Sequence, residues 1–240
     1  MVRSRFGACD DVSVAHEPIS LTYRAAMAVV WPVIRWWGRL EVVGLDVIPA
    51  TGPVVVMVNH DSAWDPFVVG VAAVHRRQVR ALAKSSLWNV RPAGWVLNGM
   101  GQIPIDRGRG DIEALSEAIE QLRAGACIGI FPEGTVSRGR ALRSRSGAGR
   151  LALAVPSTYI VGTAVTGAVD IARFPKRPRI RITFFNPADG QPAPGESAIA
   201  VTRRTMREVR AMAPYAVPGR GKKAARFQAM AQQWSDEAGR

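Results

Sequence analysis

Residues 54 to 70, VVVMVNHDSAWDPFVVG, decide the fold class of this 240-residue chain. A short run of mostly β-branched residues predicts a buried strand. Asp65 and Pro66 then begin a helix, with Asp65 at the N-cap and Pro66 at the first helical position, where its missing N–H costs nothing. A strand that passes through a polar loop into a helix is the repeating unit of α/β proteins.

The rest of the chain repeats this alternation. GDIEALSEAIEQLRAG, residues 110 to 125, has apolar residues at helical spacing, with Asp111 as a cap and Gly125 as a stop. Further predicted strands are EVVGL from residue 41, VRALAK from 79, GQIPID from 101, ACIGIF from 126 and RIRITFF from 179. The pattern predicts an α/β fold, a single layered domain over residues 41–213 with a mixed, largely parallel sheet flanked by helices.

An amphipathic helix is predicted over residues 19–40, after a flexible segment 1–18. Ser20 can cap this helix and Pro32 can kink it. About ten apolar residues precede Arg35, against roughly 20 in a membrane-spanning helix. Its tryptophans beside arginines favour a helix lying at a membrane interface, and a helix packed on the core is the alternative. Residues 214–240 form a basic C-terminal tail.

The net charge of +13, from 32 Lys and Arg against 19 Asp and Glu, favours anionic partners. An anionic membrane surface is one such partner. Nucleic acid is not expected, because no zinc-finger spacing, aromatic RNP-like strand or basic zipper occurs. Two cysteines are too few for a disulfide framework. The opening residues lack the apolar core of a secretory signal, so a cytosolic setting is expected.

His60 follows the strand of the opening stretch, where α/β folds commonly place active groups. If its loop folds back onto Asp65, the carboxylate would accept an imidazole N–H and leave the other nitrogen as a general base. The alternative is that Asp65 only caps its helix. A metal site is not expected, since the other histidines sit in poor settings. Cys127 lies in an apolar strand, which leaves its thiol inert.

Polar residues leave two further strand ends. GQIPIDR places Arg107 after one strand, and FPEGTVSR places Glu133, Gly134, Thr135 and Arg138 after another. Arginine suits bidentate capture of phosphate, and glycine lets the backbone approach a ligand. The alternatives are a solvated loop charge and an ordinary tight turn.

NHDSAWD, GQIPIDR and FPEGT, in this order, resemble the signature blocks of the glycerolipid acyltransferase family, typified by 1-acyl-sn-glycerol-3-phosphate acyltransferases. The resemblance implies a catalytic dyad of His60 and Asp65, phosphate binding by Arg107, and a substrate-binding turn at Glu133 and Gly134. Thr135 and Arg138 of the same stretch are further candidate substrate-binding residues.

The resemblance also implies an activity: transfer of an acyl group from acyl-CoA or acyl carrier protein to the hydroxyl of a lysophospholipid. The acyl thioester is a co-substrate, and no cofactor or metal is expected. The expected location is the cytoplasmic face of the cell membrane, with peripheral attachment.

The chain departs from the family pattern at two places. Val136 stands where the family usually carries arginine after EGT, and Tyr159 and Gly162 stand at positions usually held by proline. Another lyso-lipid or polar hydroxyl acceptor is therefore an alternative. Two further alternatives are a basic nucleic-acid-binding protein and an inactive family member that scaffolds on membranes.

Overall fold

A computed structural model describes residues 18–106, 112–175 and 177–219. Predictions for the N-terminal segment up to residue 17, for the Asp111 cap and for the tail from residue 220 lie outside the described residues. Six α-helices lie in the described part: α1 Leu21–Trp31, α2 Asp65–Ala73, α3 Arg91–Gly99, α4 Ile112–Arg123, α5 Gly147–Ala154 and α6 Ala198–Met212.

Seven strands form one mixed sheet in the order β1-β7-β6-β2-β5-β3-β4. The β6 and β7 strands pair antiparallel, and all other neighbours are parallel. The predicted α/β fold is confirmed. The strands are β1 Glu41–Val43, β2 Val54–Val58, β3 Val79–Lys84, β4 Ile103–Ile105, β5 Cys127–Ile130, β6 Tyr159–Thr166 and β7 Arg181–Phe185.

β2 lies at the centre of the sheet and all five of its residues are buried. Successive side chains of a strand point to opposite faces, so β2 contributes to two cores. Val54, Val56 and Val58 pack with α1 and α2, whereas Val55 and Met57 pack with α4, α5 and α6. The helices therefore cover both faces, and the loop after β2 leaves the sheet at its carboxyl edge.

The N-terminal helix begins as predicted, because the Ser20 hydroxyl accepts a hydrogen bond from the Tyr23 backbone N–H. At Pro32, the position of the predicted kink, the α-helix gives way to a π-helical turn, Pro32–Trp37. Tyr23 and Met27 are buried against the core. In the described part of the chain, no helix is long and apolar enough to cross a membrane.

Two local expectations differ from the structure. The first strand ends at Val43 rather than Leu45, because Gly44 has φ +69° and a side chain there would meet the Phe184 carbonyl. Helices α3 and α6 were not predicted. Their sequences carry weak or arginine-rich patterns. Helix α6 packs on β2 and β6 of the sheet, whereas α3 packs on α1 and on the 3₁₀ turn Ser85–Asn89.

Candidate active site

His60 lies in the loop between β2 and α2, at the carboxyl edge of the sheet, and is buried. Its Nδ1 is 3.4 Å from Oδ2 of Asp65. This distance is at the long end for a hydrogen bond, as is common in catalytic sites without substrate. The predicted juxtaposition of the two side chains is present. An imidazole that donates from Nδ1 to a carboxylate keeps Nε2 as its unprotonated nitrogen.

The Asp65 side chain does not cap α2, contrary to the sequence prediction. The helix begins at Asp65 itself, after Trp64. The carboxylate turns back and its Oδ2 accepts from the backbone N–H groups of Asp61 and Ser62, both at 2.7 Å. Asp65 therefore closes the loop around His60, instead of satisfying the first turn of its own helix.

The loop is tied to β6 by side chains that replace backbone pairing. Asn59 continues the β2 ladder: its Oδ1 accepts from the Val165 N–H at 2.8 Å, and its Nδ2 donates to the Val165 carbonyl at 2.9 Å. The Ser62 hydroxyl donates to the Ala168 carbonyl at 3.2 Å. His60 is thus held on a loop fixed at both sides, which favours a precise orientation of its ring.

Burial raises the pKa of the Asp65 carboxyl, and hydrogen bonds from His60 and Ser62 oppose that rise. A carboxylate that is charged in this setting attracts a nearby cation strongly, since little water screens it. The arrangement can therefore take a proton onto His60 and stabilise the imidazolium that forms. This is general base chemistry.

Glu133 is buried, although the sequence prediction placed it in a substrate-binding turn. Its side chain is 1% exposed. Oε1 accepts from Arg210 Nε at 2.6 Å, and Oε2 accepts from the His60 backbone N–H at 3.1 Å. Both carboxylate oxygens therefore bind protein groups.

A cavity of about 310 Å³ includes Phe131 and Gly134 in its lining, whereas His60 itself does not line it. The Phe131 ring lines the cavity and lies 4.5 Å from the His60 ring, centroid to centroid. The walls are mainly apolar, with Leu82, Ile105, Ile112, Leu115 and Ile130, and the charged residues that line the cavity are Asp106, Arg145 and Arg150.

Gly134 has φ +72°, and a side chain there would lie 3.0 Å from Arg145 Nε. The backbone N–H of Arg145 also donates to the Pro132 carbonyl at 2.8 Å. The FPEG turn and Arg145 thus form one surface of the cavity. An apolar cavity bordered by guanidinium groups suits an anionic amphiphile.

Three further residues were predicted to bind substrate: Arg107, Thr135 and Arg138. Arg107 lies outside the described residues, so its predicted phosphate contact stays a prediction. Thr135 and Arg138 are exposed, and Arg138 has φ +50°. Neither of them lines the cavity beside His60.

Residues 39–166 match the sequence profile of the family called Acyltransferase, which is more than half of the chain. The chain belongs to the acyltransferase family. The matched segment contains the His60 loop and the FPEG turn, so the family assignment and the geometry concern the same part of the chain.

Several characterised acyltransferases are similar in sequence. The chloroplastic 1-acyl-sn-glycerol-3-phosphate acyltransferase LPAT1 of Arabidopsis thaliana is 24% identical over 74% of this chain and 52% of its own length. The 1-acyl-sn-glycerol-3-phosphate acyltransferase of Borreliella burgdorferi is 37% identical over 42% of this chain and 40% of its length. The lyso-ornithine lipid O-acyltransferase of Pseudomonas aeruginosa is 32% identical over 54% of this chain and 53% of its own length. The chain thus spans about half the length of these relatives.

The crystal structure of the 1-acyl-sn-glycerophosphate acyltransferase PlsC from Thermotoga maritima has the same fold. It superposes with a TM-score of 0.60 at 19% identity, covering 78% of this chain and 80% of that one. At this identity the likeness establishes the fold of the chain.

Two residues near the His60 loop were not predicted from the sequence as site residues: Asp61 and Arg210. Arg210 is buried although it is an arginine in a basic helix. One signal was present: Arg210 follows Met206 by four residues and therefore lies on the apolar face of α6. Its partners are 77 and 149 residues away in sequence, so the helix pattern alone could not identify them.

Proposed function

We propose that the protein transfers an acyl group from a thioester of coenzyme A or acyl carrier protein to the free hydroxyl of a lysophospholipid, 1-acyl-sn-glycerol-3-phosphate being the favoured acceptor. The observation that carries the proposal is the buried pair of His60 and Asp65 beside an apolar cavity bordered by arginines. The names of the similar proteins support both the reaction and the class of acceptor.

In the proposed reaction, His60 Nε2 removes the proton from the acceptor hydroxyl while the oxygen attacks the thioester carbonyl carbon. The tetrahedral intermediate then expels the thiolate, and the imidazolium returns the proton to sulfur. An ester and a free thiol result. Asp65 stabilises the imidazolium throughout, and the protein itself is never acylated.

Incubating the purified protein with acyl-CoA and with acyl carrier protein thioesters tests this function. The acceptors are a panel of lyso-lipids with and without phosphate, and products are identified by mass spectrometry. We expect phosphatidic acid from the phosphate-bearing acceptor. Preferential acylation of a lyso-ornithine lipid would instead favour the second candidate acceptor, which the Pseudomonas aeruginosa relative suggests.

Arg145 is proposed to bind the anionic headgroup of the acceptor, since it lines the cavity next to Gly134. A hydrogen bond to a charged group contributes about 1.5–3 kcal/mol. Arg145→Gln is therefore expected to raise KM for a phosphate-bearing acceptor about tenfold or more. KM for an acceptor without phosphate should change little.

Arg143→Gln is the matched control, because Arg143 is exposed in the same loop and does not line the cavity. Steady-state kinetics of both variants with both acceptors decide the matter. Equal rises in KM for the two acceptors would assign Arg145 a role other than headgroup recognition.

We propose that α1 and the π-helical turn bind the surface of an anionic membrane on its cytoplasmic face, as a peripheral attachment. Leu21, Val29 and Trp36 are exposed, and Trp36 is 71% exposed. Trp37 differs from the sequence expectation of a lipid contact: its Nε1 donates to the Ile171 carbonyl at 2.7 Å, so it packs on the protein. Nucleic acid is not a proposed partner.

Vesicle co-sedimentation with Trp36→Ala tests the membrane proposal. We expect Trp36→Ala to bind anionic vesicles markedly more weakly, because it removes an exposed aromatic contact. We also expect the unmodified protein to bind more weakly at high salt, because basic residues near such a surface contribute about 1 kcal/mol each. Met212→Ala serves as the control, since Met212 is also exposed but belongs to α6 on the opposite face of the sheet. Binding unaffected by both salt and Trp36→Ala would refute this attachment.

A further inference from the structure

A buried ionic cluster lies behind His60, and its only cation within the described residues is Arg210 of α6. The arginine side chain is 8% exposed. Its Nη1 is 2.7 Å from Oδ2 of Asp61, and its Nε and Nη2 bind the two oxygens of Glu133. The guanidinium also stacks 3.8 Å above the Tyr215 ring. One planar cation thus bridges two carboxylates from different loops.

Both carboxylates of this cluster hold the backbone of the histidine. Glu133 accepts the His60 N–H at 3.1 Å. Asp61 accepts a hydrogen bond from the Ser137 hydroxyl, and the Ser137 backbone N–H donates to the His60 carbonyl at 2.7 Å. Glu133 therefore holds the N–H of His60 directly, and Asp61 acts on the His60 carbonyl indirectly, through Ser137; Arg210 neutralises both carboxylates.

The charge balance shows why the cation matters. Asp61, Glu133 and Asp65 are three buried acids within one site. Burial alone would lower the pKa of Arg210, but Glu133 and Asp61 raise it well above its ordinary value. Arg210 therefore stays charged. Without it, the buried carboxylates of Asp61 and Glu133 would be uncompensated, a condition that displaces side chains or forces protonation.

We propose that Arg210 is a positioning residue for acyl transfer: from α6, it fixes Glu133 and Asp61, and through them the backbone orientation of His60. This inference rests on the proposed function for its kinetic consequence. Its structural consequence, the immobilisation of His60, does not depend on that function.

Arg210→Met and Arg210→Lys test the proposal, with Arg207→Met as the matched control on the exposed face of α6. Misplacing a catalytic group by about 1 Å costs roughly 100-fold in rate. We expect kcat to fall about 100-fold in Arg210→Met, with KM for both substrates nearly unchanged because Arg210 does not line the substrate cavity. Arg207→Met should keep the kcat of the unmodified protein.

Arg210→Lys separates positioning from stability. Lysine retains the charge, so the melting temperature should largely recover, but one ammonium cannot reproduce the planar fork that spans two carboxylates. We expect kcat to remain at least tenfold low. A kcat that follows the melting temperature across all variants would reduce Arg210 to a structural role and overturn the proposal.

Hydrogen exchange of the His60 backbone N–H provides a readout that needs no substrate. We expect exchange at least tenfold faster in Arg210→Lys and unchanged in Arg207→Met. If Arg210→Met does not fold, the kcat of Arg210→Lys and the exchange rate of its His60 backbone N–H decide the matter. An inactive unmodified protein would contradict the proposed function, whereas unchanged His60 exchange in Arg210→Lys would contradict this inference.

Discussion

Asp65→Asn is expected to lower kcat at least 100-fold while the fold survives. The Asn amide oxygen can still accept from the N–H groups of Asp61 and Ser62, which now hold Oδ2 at 2.7 Å. It cannot supply the negative charge that stabilises a protonated His60. The corresponding substitution in a serine-protease triad lowers kcat by about 10⁴. Steady-state turnover with one acceptor and one acyl thioester measures the effect.

The unmodified protein should lose stability relative to the same variant as pH rises. Because burial raises the folded-state pKa of Asp65, its protonated form favours folding, and that stability is lost as pH rises from about 4 through the raised value. Asn stays neutral at every pH. We therefore expect the melting temperature of Asp65→Asn, relative to the unmodified protein, to be higher at pH 8 than at pH 5. Near-normal turnover with an unchanged melting curve would return Asp65 to a role in loop structure only.

His60→Ala is expected to reduce turnover to the level of the uncatalysed reaction, a loss of at least 10³. No other histidine of the described residues lies in this site, since His75 is exposed at the end of α2. The double variant His60→Ala/Asp65→Asn should be no slower than His60→Ala, because members of one catalytic unit do not act additively.

Circular dichroism and acyl-CoA binding serve as controls for His60→Ala. The imidazole is buried against Phe131, so some loss of stability is expected from the smaller side chain. A folded His60→Ala variant with substantial turnover would place the base elsewhere. A double variant much slower than both single variants would show that His60 and Asp65 act independently.

The strand, loop and helix around His60 were predictable because the signals are local. β-branched residues in a row, a polar loop and an Asp-Pro pair each act over a few residues. The α4 helix was predictable for the same reason: its apolar spacing and Gly125 define it without help from the rest of the chain. These features fixed the fold class and brought His60 and Asp65 to one sheet edge.

The polar surroundings of His60 were not predictable, because they depend on contacts between distant segments. The sequence predicts that Glu133 binds substrate because it follows a strand. In the structure it binds Arg210 of α6, which lies 77 residues away in sequence. The sequence places Asp65 at a helix cap because Asp and Pro commonly begin helices, but its carboxylate accepts hydrogen bonds from two backbone N–H groups of the preceding loop instead. In both cases tertiary contacts overrode a valid local preference.

Helix α1 and the π-helical turn show the same limit of prediction from local sequence. Trp36 and Trp37 are adjacent in sequence and were both expected to meet lipid. The π-helical turn directs Trp36 outward and leaves Trp37 bonded to the Ile171 carbonyl and stacked on Phe174. The sequence marks Pro32 as the point where the helix changes, but it does not show which of the two tryptophans faces solvent.

The most direct measurement of the central claim is formation of phosphatidic acid by the purified protein from 1-acyl-sn-glycerol-3-phosphate and an acyl thioester, followed by mass spectrometry beside a folded His60→Ala variant. The proposed function requires rapid product formation by the unmodified protein with either acyl-CoA or acyl carrier protein as donor, and none above background by the variant. Absence of product with both donors, or equal product from both proteins, would contradict it.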